Sequence, residues 1–196
     1  MSITSVALLA RMVEINVNDY RRSFRPFFDR ASAQRNFGLA EPESEIMNAF
    51  NHFAWVSERI DELERGGFSP EAAKSLQTAA EKDLELARRH IWLGRICCVE
   101  HLIEEVSDRI VTNLATMSDA QHENVADWKE TARELDDRYN SLDRIEDISE
   151  ETPVEEIRRR TDYLKSGPLK SLTAILADYS DLLDIVDEQS ALPKID

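Results

Sequence analysis

The amino-acid sequence predicts an all-α protein: an elongated antiparallel bundle of five or six helices with one very long or kinked central helix. Three observations lead to this prediction. Apolar residues recur at helical spacing over long stretches, and no run shows the alternation that is typical of a strand. Only five glycines and six prolines interrupt the 196 residues. Because turn residues are few, the elements between the turns must be long.

Capping residues mark where three of the helices begin. Ser69-Pro70 and Thr152-Pro153 each place an N-cap hydroxyl before a proline at the first helical position. Ser118 and Gln121 have the spacing of a capping box, in which each side chain satisfies a free backbone amide of the first turn. These signals predict helix starts near residues 70, 119 and 153.

Glycines mark where helices end. Gly66-Gly67 and Gly167-Pro168 are typical stops, because glycine adopts the left-handed conformation that closes a helix and proline cannot continue one. Pro26 is expected to kink or end the first helix. The predicted helices cover about 3–33, 43–65, 70–117, 119–147, 153–165 and 168–189.

The helix predicted over 70–117 carries an apolar stripe along its whole length. The stripe comprises Ala80, Leu84, Ala87, Ile91, Gly94, Cys98, Leu102, Val106, Ile110, Leu114 and Met117. Such a helix would be about 70 Å long, whereas a compact domain of this size is only about 40 Å across. We therefore expect either a break near Gly94 or before Glu81, or an elongated bundle whose apolar flank a second subunit covers.

The net charge of −15 is unevenly distributed along the chain. Residues 1–40 carry a net charge of +3, residues 41–117 carry −7 and residues 118–196 carry −11. We predict one domain over 1–196, with a basic-aromatic N-terminal helical segment at 1–37 and an acidic helical bundle at 43–189. An acidic body argues against nucleic-acid binding, because attraction to phosphate needs a positive surface.

Composition also bears on the compartment. The first residues lack a basic leader followed by a sustained apolar run, and no stretch has the roughly 18 uninterrupted apolar residues of a membrane span. Cys97 and Cys98 are adjacent, so on a helix they point in different directions and do not suggest a disulfide framework or a metal knuckle. We expect a cytoplasmic, prokaryotic protein without a cofactor and without membrane contact.

One pattern occurs twice, 38 positions apart: Glu45-x-x-x-Ala49-x-x-His52 and Asp83-x-x-x-Ala87-x-x-His90. In each copy the three residues lie on one face of a helix. We interpret the pair as an alanine-lined helix crossing with each histidine hydrogen-bonded at the edge of the core. The alternative is a metal or acid–base cluster formed by Glu45, His52, Asp83 and His90. Within one helix, however, acid and histidine stand about 10 Å apart along the axis, too far to share an ion.

Two further surfaces are candidates for partner binding. The N-terminal segment interleaves cations and aromatic rings, namely Arg21, Arg22, Phe24, Arg25, Phe27 and Phe28. The last helix has an acidic ridge made of Asp178, Asp181, Asp184 and Asp187, beside an apolar stripe of Leu176, Leu183 and Val186. We predict that the segment packs on the C-terminal helix of its own or a second subunit, because arginine and phenylalanine favour protein interfaces and the acidic body would repel phosphate.

Arg95-Ile-Cys-Cys-Val-Glu-His101 resembles the Arg-x(4–6)-His motif of HEPN-type ribonucleases, which are helical and often act in bacterial defence. The resemblance covers two residues of one helix and would make Arg95 and His101 catalytic. The chain departs from the family at Ile96, where a polar residue commonly follows the arginine. On a helix the two side chains also point about 120° apart.

The sequence therefore favours a non-catalytic interaction or regulatory protein. It would act as a complex subunit, or as an antitoxin- or immunity-like partner of a basic protein, and it would form a homo-oligomer, most simply a dimer. The HEPN-like ribonuclease is the first alternative and a metal-dependent helical enzyme is the second.

Overall fold

The structure, a computed structural model, describes residues 2–33, 40–117, 124–143, 145–149 and 151–190. Most of these residues are helical and none of them lies in a strand, so the all-α prediction is confirmed. The α-helices are α1 (Ile3–Glu14), α2 (Arg25–Ser32), α3 (Ala40–Arg65), α4 (Pro70–Thr116), α5 (Val125–Asn140), α6 (Val154–Ser166) and α7 (Pro168–Ser190). A π-helical stretch, Ile15–Phe24, joins α1 to α2.

The chain folds into two compact units. Unit 1 comprises residues 1–98 and 146–166, and therefore contains α1, the π-helical stretch, α2, α3, α6 and the first part of α4. Unit 2 comprises residues 99–145 and 167–196, with the rest of α4, α5 and α7. The division follows packing rather than chain order, because α6 joins the N-terminal helices.

The predicted cap at Ser69 acts as expected, whereas α6 begins one residue after Pro153, at Val154, and the Thr152 hydroxyl lies 3.1 Å from the Ser149 hydroxyl. The Ser69 hydroxyl accepts a hydrogen bond from the amide of Ala72 at 3.2 Å, and α4 begins at Pro70. Gly66 and Gly67 have φ angles of 71° and 87°, the left-handed conformation that ends α3. Pro168 opens α7 directly after the turn at Gly167. The capping box at Ser118–Gln121 lies outside the described residues.

The first helix does not end at Pro26, although the sequence suggested a kink or a stop. The backbone changes to π-helical hydrogen bonding over Ile15–Phe24, and the amide of Arg25 donates to the carbonyl of Tyr20. Pro26 then lies in the first turn of α2, where its missing amide leaves no hydrogen bond unmade. The π-helical stretch ends just before α2, so Pro26 falls in a first helical turn, where proline is tolerated.

Helix α5 ends at Asn140, seven residues before the predicted end at 147. In the structure the backbone carbonyls of Glu146 and Asp147 accept hydrogen bonds from the side chains of Arg89 and Arg160. Tertiary hydrogen bonds from arginine therefore replace the helical ones in this segment.

The very long central helix is confirmed. Helix α4 runs for 47 residues without a break at Gly94 or Glu81, so the first of the two alternatives does not apply. Every member of its predicted apolar stripe is buried. A Cβ atom on Gly94 would lie 3.1 Å from the Phe24 ring and 3.3 Å from the Cβ of Glu45. The glycine is thus needed for close approach to α3 and not for flexibility.

None of the described helices combines the length and apolar character needed to cross a membrane.

Candidate functional site

The two copies of the repeat meet across an antiparallel pair of helices, α3 and α4. Ala49 and Ala87 are 1 % and 0 % exposed, so the predicted burial of both alanines is confirmed. Small side chains permit the two backbones to approach closely, which brings the acids and histidines of the two stripes within reach of each other. The helix pair therefore has approximate two-fold symmetry.

The histidines and acids of the repeat pair between the copies. Nδ1 of His52 lies 2.8 Å from Oδ1 of Asp83, and Nδ1 of His90 lies 2.6 Å from Oε2 of Glu45. The two imidazole rings stack with centroids 5.4 Å apart. The acid of one copy thus holds the histidine of the other copy, which the spacing within a single helix could not reveal.

The two halves of this histidine cluster (Glu45, His52, Asp83 and His90) differ in their surroundings. Asp83 is 6 % exposed and also accepts a hydrogen bond from Arg59, so its charge is balanced by two partners. Glu45 and His90 are more open to solvent, with side chains 26 % and 23 % exposed. Trp55 is 46 % exposed and packs edge-on against His52.

Among the described residues, no group of three or more histidine, cysteine or carboxylate side chains is arranged to hold a metal ion. The histidine cluster falls in that part of the chain. Its four groups form two separate hydrogen-bonded pairs, in which Nδ1 of each imidazole faces a carboxylate. This arrangement orients both rings and gives each a hydrogen-bond partner at the edge of the core.

A second cluster of charges, in unit 1, was not anticipated from the sequence. Three charged residues are almost completely buried: Asp19 of the π-helical stretch at 9 %, and Glu85 and Arg88 of α4 at 2 % and 7 %. Arg88 forms ion pairs with Asp19 at 3.5 Å, with Glu85 at 3.2 Å and with Asp162 of α6. A buried charge is tolerated only where it is paired and hydrogen-bonded, and each of these three groups is.

The periphery of this buried network adds further partners. Glu85 also accepts hydrogen bonds from Arg11 of α1 at 3.4 Å and from Arg158 of α6 at 3.1 Å. Asp19 accepts from the indole nitrogen of Trp92 at 3.1 Å and from Lys165 at 3.4 Å. The network thereby ties α1, the π-helical stretch and α6 to α4. The sequence offered no clear signal for this network, because Glu85 and Arg88 lie among other charged residues between positions 81 and 90.

Arg95 and His101, the residues of the ribonuclease alternative, have different surroundings. Arg95 belongs to unit 1, where its guanidinium carbon lies 4.3 Å from the centroid of the Phe27 ring. His101 belongs to unit 2, and its Nδ1 lies 3.6 Å from Oε2 of Glu104. Burial raises the pKa of the neighbouring Cys98 thiol to about 12, which keeps it protonated at neutral pH.

The aromatic residues of the N-terminal segment pack within unit 1. Phe24 is 2 % exposed; its ring stacks on Tyr20 at 5.7 Å and lies tilted against Phe28 at 5.4 Å. The cationic residues of the same segment, Arg21, Arg22 and Arg25, remain exposed. Phe24 therefore already has its packing partners, whereas these three arginines face solvent.

On α7 the apolar stripe is buried in unit 2, where α7 packs against α5. Two of the four ridge carboxylates are engaged there: Asp178 pairs with Arg138 at 2.7 Å and Asp187 with Arg109 at 2.9 Å. Asp181 and Asp184 are exposed. The predicted docking of the N-terminal segment on this helix stays a prediction.

An apolar groove of about 470 Å³ lies between the N-terminal helix and α3 in unit 1. Its apolar lining comprises Met12, Val13, Val17, Phe50, Phe53 and Ala54, and Asn16, Arg21 and Ser57 add polar groups. Val13 is 58 % exposed and Phe50 41 %. The chain thus presents apolar side chains to solvent along a concave surface, a feature that sequence periodicity alone did not locate.

Comparison of the chain with protein-family models, with curated proteins and with solved structures finds no match.

Proposed function

We propose that this chain is a non-catalytic cytoplasmic interaction protein that binds a basic amphipathic helix of a partner protein in the groove between α1 and α3. Such a role fits a subunit of a complex, or an antitoxin- or immunity-like protein of a prokaryote. The observation that carries the proposal is the open apolar groove itself. Contiguous exposed apolar surface on a folded protein commonly marks a site where another protein binds.

The shape of the groove suits a helix. It runs between two antiparallel helices, since Ser2 at the start of α1 donates to Glu64 near the end of α3. Phe50, Phe53, Ala54 and Ser57 recur at helical spacing along the bank formed by α3, and Phe50 is 41 % exposed. An amphipathic helix that binds such a surface presents its own apolar residues at the same spacing.

The negative charge of this chain favours a positively charged partner. Helix α3 contains seven carboxylates and only two arginines, whereas the charged residue that lines the groove itself is Arg21. The whole chain carries a net charge of −15. Complementary charge raises the association rate and suppresses wrong partners, so a helix flanked by lysine and arginine fits better than an acidic one.

The test uses two fluorescent amphipathic peptides, one of leucine and lysine and one of leucine and glutamate, titrated with the purified protein. We expect binding of the lysine peptide alone. Ala54→Arg places a long cation in the groove and should weaken that binding at least about tenfold, or about 1.4 kcal/mol. Ala126→Arg, at an exposed alanine of α5, makes the same change of charge outside the groove and should leave binding unchanged.

Two results would count against the groove: equal binding of the acidic and basic peptides, or equal weakening by the two alanine variants. Melting temperatures of both variants establish that each is folded. In cells of the source organism, partners that co-purify with the wild-type protein and with Ala126→Arg, but not with Ala54→Arg, would identify the natural ligand.

We also propose that the protein forms a dimer, in which exposed arginines of the N-terminal segment face the acidic ridge of a second subunit. Arg21, Arg22 and Arg25 are exposed, and so are Asp181 and Asp184. Light scattering should give twice the mass of one chain for the wild type. The double variant Asp181→Lys with Asp184→Lys should then shift the protein toward the monomer, because like charges would face each other.

The two enzyme alternatives have direct tests. A HEPN-like ribonuclease would cleave RNA, and both Arg95→Ala and His101→Ala would abolish the cleavage without unfolding the protein. A metal-dependent enzyme would retain a stoichiometric transition metal when purified without chelator, and His52→Ala would release it. We expect neither activity nor metal.

A further inference from the structure

Three arginines of α4 lie in unit 1, and one of them differs from the others. Arg88 forms ion pairs with Asp19, Glu85 and Asp162. Arg89, 5 % exposed, donates to the backbone carbonyl of Glu146 at 2.6 Å. Arg95 has neither a carboxylate nor a carbonyl partner among the described residues.

The surroundings of Arg95 are aromatic. Its guanidinium carbon lies 4.3 Å from the centroid of Phe27 and 5.3 Å from that of Trp92. Its Nε atom is buried and has no hydrogen-bond partner. The other buried side-chain nitrogen and oxygen atoms of the described residues each have one. Lys165 lies over the same indole, 4.4 Å from the Trp92 centroid, but it has Asp19 as a partner.

The side chain of Arg95 is partly buried, and its Nε is the atom that has neither solvent nor a hydrogen-bond partner. Burial lowers the pKa of Arg95, because desolvation disfavours its charged form and no carboxylate offsets that effect. The faces of the Phe27 and Trp92 rings attract the positive charge of the guanidinium. They do not accept hydrogen bonds from the N–H groups in its plane. Buried polar groups in folded proteins nearly always have a partner, so this one calls for an explanation.

We propose that Arg95 binds a small oxyanion, a carboxylate or a phosphate group, with Phe27 as the platform that holds the guanidinium flat. A guanidinium presents parallel N–H groups that match two oxygens of such an anion. The aromatic contacts fix the plane of the fork before the ligand arrives, which reduces the conformational entropy lost on binding. Lys165 adds a second positive charge near the same indole ring.

Isothermal titration calorimetry of the full chain tests the proposal, with inorganic phosphate and succinate as separate probes at constant ionic strength. We expect at least one of them to bind at millimolar concentration or below, and the tighter of the two identifies the class of anion. Arg95→Gln should weaken that binding at least tenfold, and Arg95→Lys should weaken it less because the charge remains. Arg133→Gln, at an exposed arginine of α5, is the control and should change nothing.

The melting temperature provides a second readout. The bound anion should raise that of the wild type and of Arg133→Gln, but not that of Arg95→Gln. Phe27→Leu removes the platform while keeping the charge, so it should weaken binding without abolishing it. Absence of binding to the wild type, or equal affinity in the wild type and in Arg95→Gln or Arg95→Lys, would overturn the proposal.

Discussion

At the scale of single residues, the acid of each copy of the repeat pairs with the histidine of the other copy. Glu45 and His52 lie on one helix and Asp83 and His90 on the other, and each acid pairs across the helix interface. The sequence supplied the residues and the shared helix face. It could not supply the pairing, because that depends on the relative direction and register of α3 and α4, which are tertiary properties.

The two pairs should differ in their contribution to stability. Asp83 is buried and has two partners, His52 and Arg59, so Asp83→Asn removes a carboxylate that both of them contact. Because the Arg59 side chain is 28 % exposed, this loss should cost about 1–3 kcal/mol. Glu45 is more exposed, so Glu45→Gln should cost about 1 kcal/mol or less. Urea unfolding of both variants measures the difference, and equal costs would show that burial does not distinguish the two pairs.

The buried network around Glu85 and Arg88 illustrates a second limit of sequence reasoning. Charged residues on a long helix are normally placed on its solvent face, and this expectation fails where several helices converge on one stretch of α4. Arg88 can be buried, at 7 % exposure, because it forms ion pairs with Asp19 of the π-helical stretch and Asp162 of α6. Those neighbours are 69 and 74 positions away in sequence, beyond the reach of any periodicity argument.

At the scale of elements, helix positions were predictable and backbone irregularities were not. Apolar periodicity and caps predicted the described ends of α3, α4, α6 and α7 to within a few residues, because both signals are local. The π-helical stretch and the early end of α5 were missed. Each depends on contacts made by distant side chains, such as the donation from Arg89 to the carbonyl of Glu146.

The alanine crossing of α3 and α4 leads to a prediction about packing. A leucine at position 87 or 49 would be forced into a space that is filled by the other helix, since both alanines are at most 1 % exposed. Overpacking of a well-packed core usually costs about 1–3 kcal/mol. Ala87→Leu and Ala49→Leu should therefore lower the melting temperature, whereas Ala126→Leu on the exposed face of α5 should not. An unchanged melting temperature in both core variants would contradict the close crossing.

The contact between α1 and α3 should make stability depend on pH. Hydrogen bonds from the Ser5 side chain and the Ser2 amide hold the pKa of Glu64 at about 2, below its ordinary value of 4.5. Because the folded-state pKa is lowered, the charged carboxylate stabilises the fold above about pH 4.5, and this contribution is lost as the pH falls toward 2.

Unfolding of the wild type and of Glu64→Gln across that range measures the effect. The difference in unfolding free energy should be constant above about pH 5 and should shrink steadily below it. Glu58→Gln, at an exposed carboxylate of the same helix, controls for the change in net charge. A difference that does not vary with pH would mean that the Glu64 hydrogen bonds are absent in solution.

At the scale of the whole molecule, the N-terminal segment is part of a core. Leu8, Ile15 and Phe24 are at most 4 % exposed, and Asp19 supplies a carboxylate to Arg88. Burial of three such apolar side chains stabilises a fold by about 1.5–3 kcal/mol each, which together approaches the total stability of an ordinary domain. Removal of residues 1–37 should therefore unfold unit 1 and not merely release an arm.

Circular dichroism and light scattering of the truncated chain test this expectation. The helical signal should fall by more than the deleted residues contribute, because α3, α6 and the first part of α4 lose the surfaces against which they pack. Raised salt should affect the intact protein far less, since exposed arginine–carboxylate pairs contribute only about 0–1 kcal/mol each. If the truncated chain instead kept its melting temperature and its mass, the segment would be dispensable for folding and assembly. Its exposed arginines, Arg21, Arg22 and Arg25, would then be better explained by the binding of another macromolecule than by packing within this chain or its dimer.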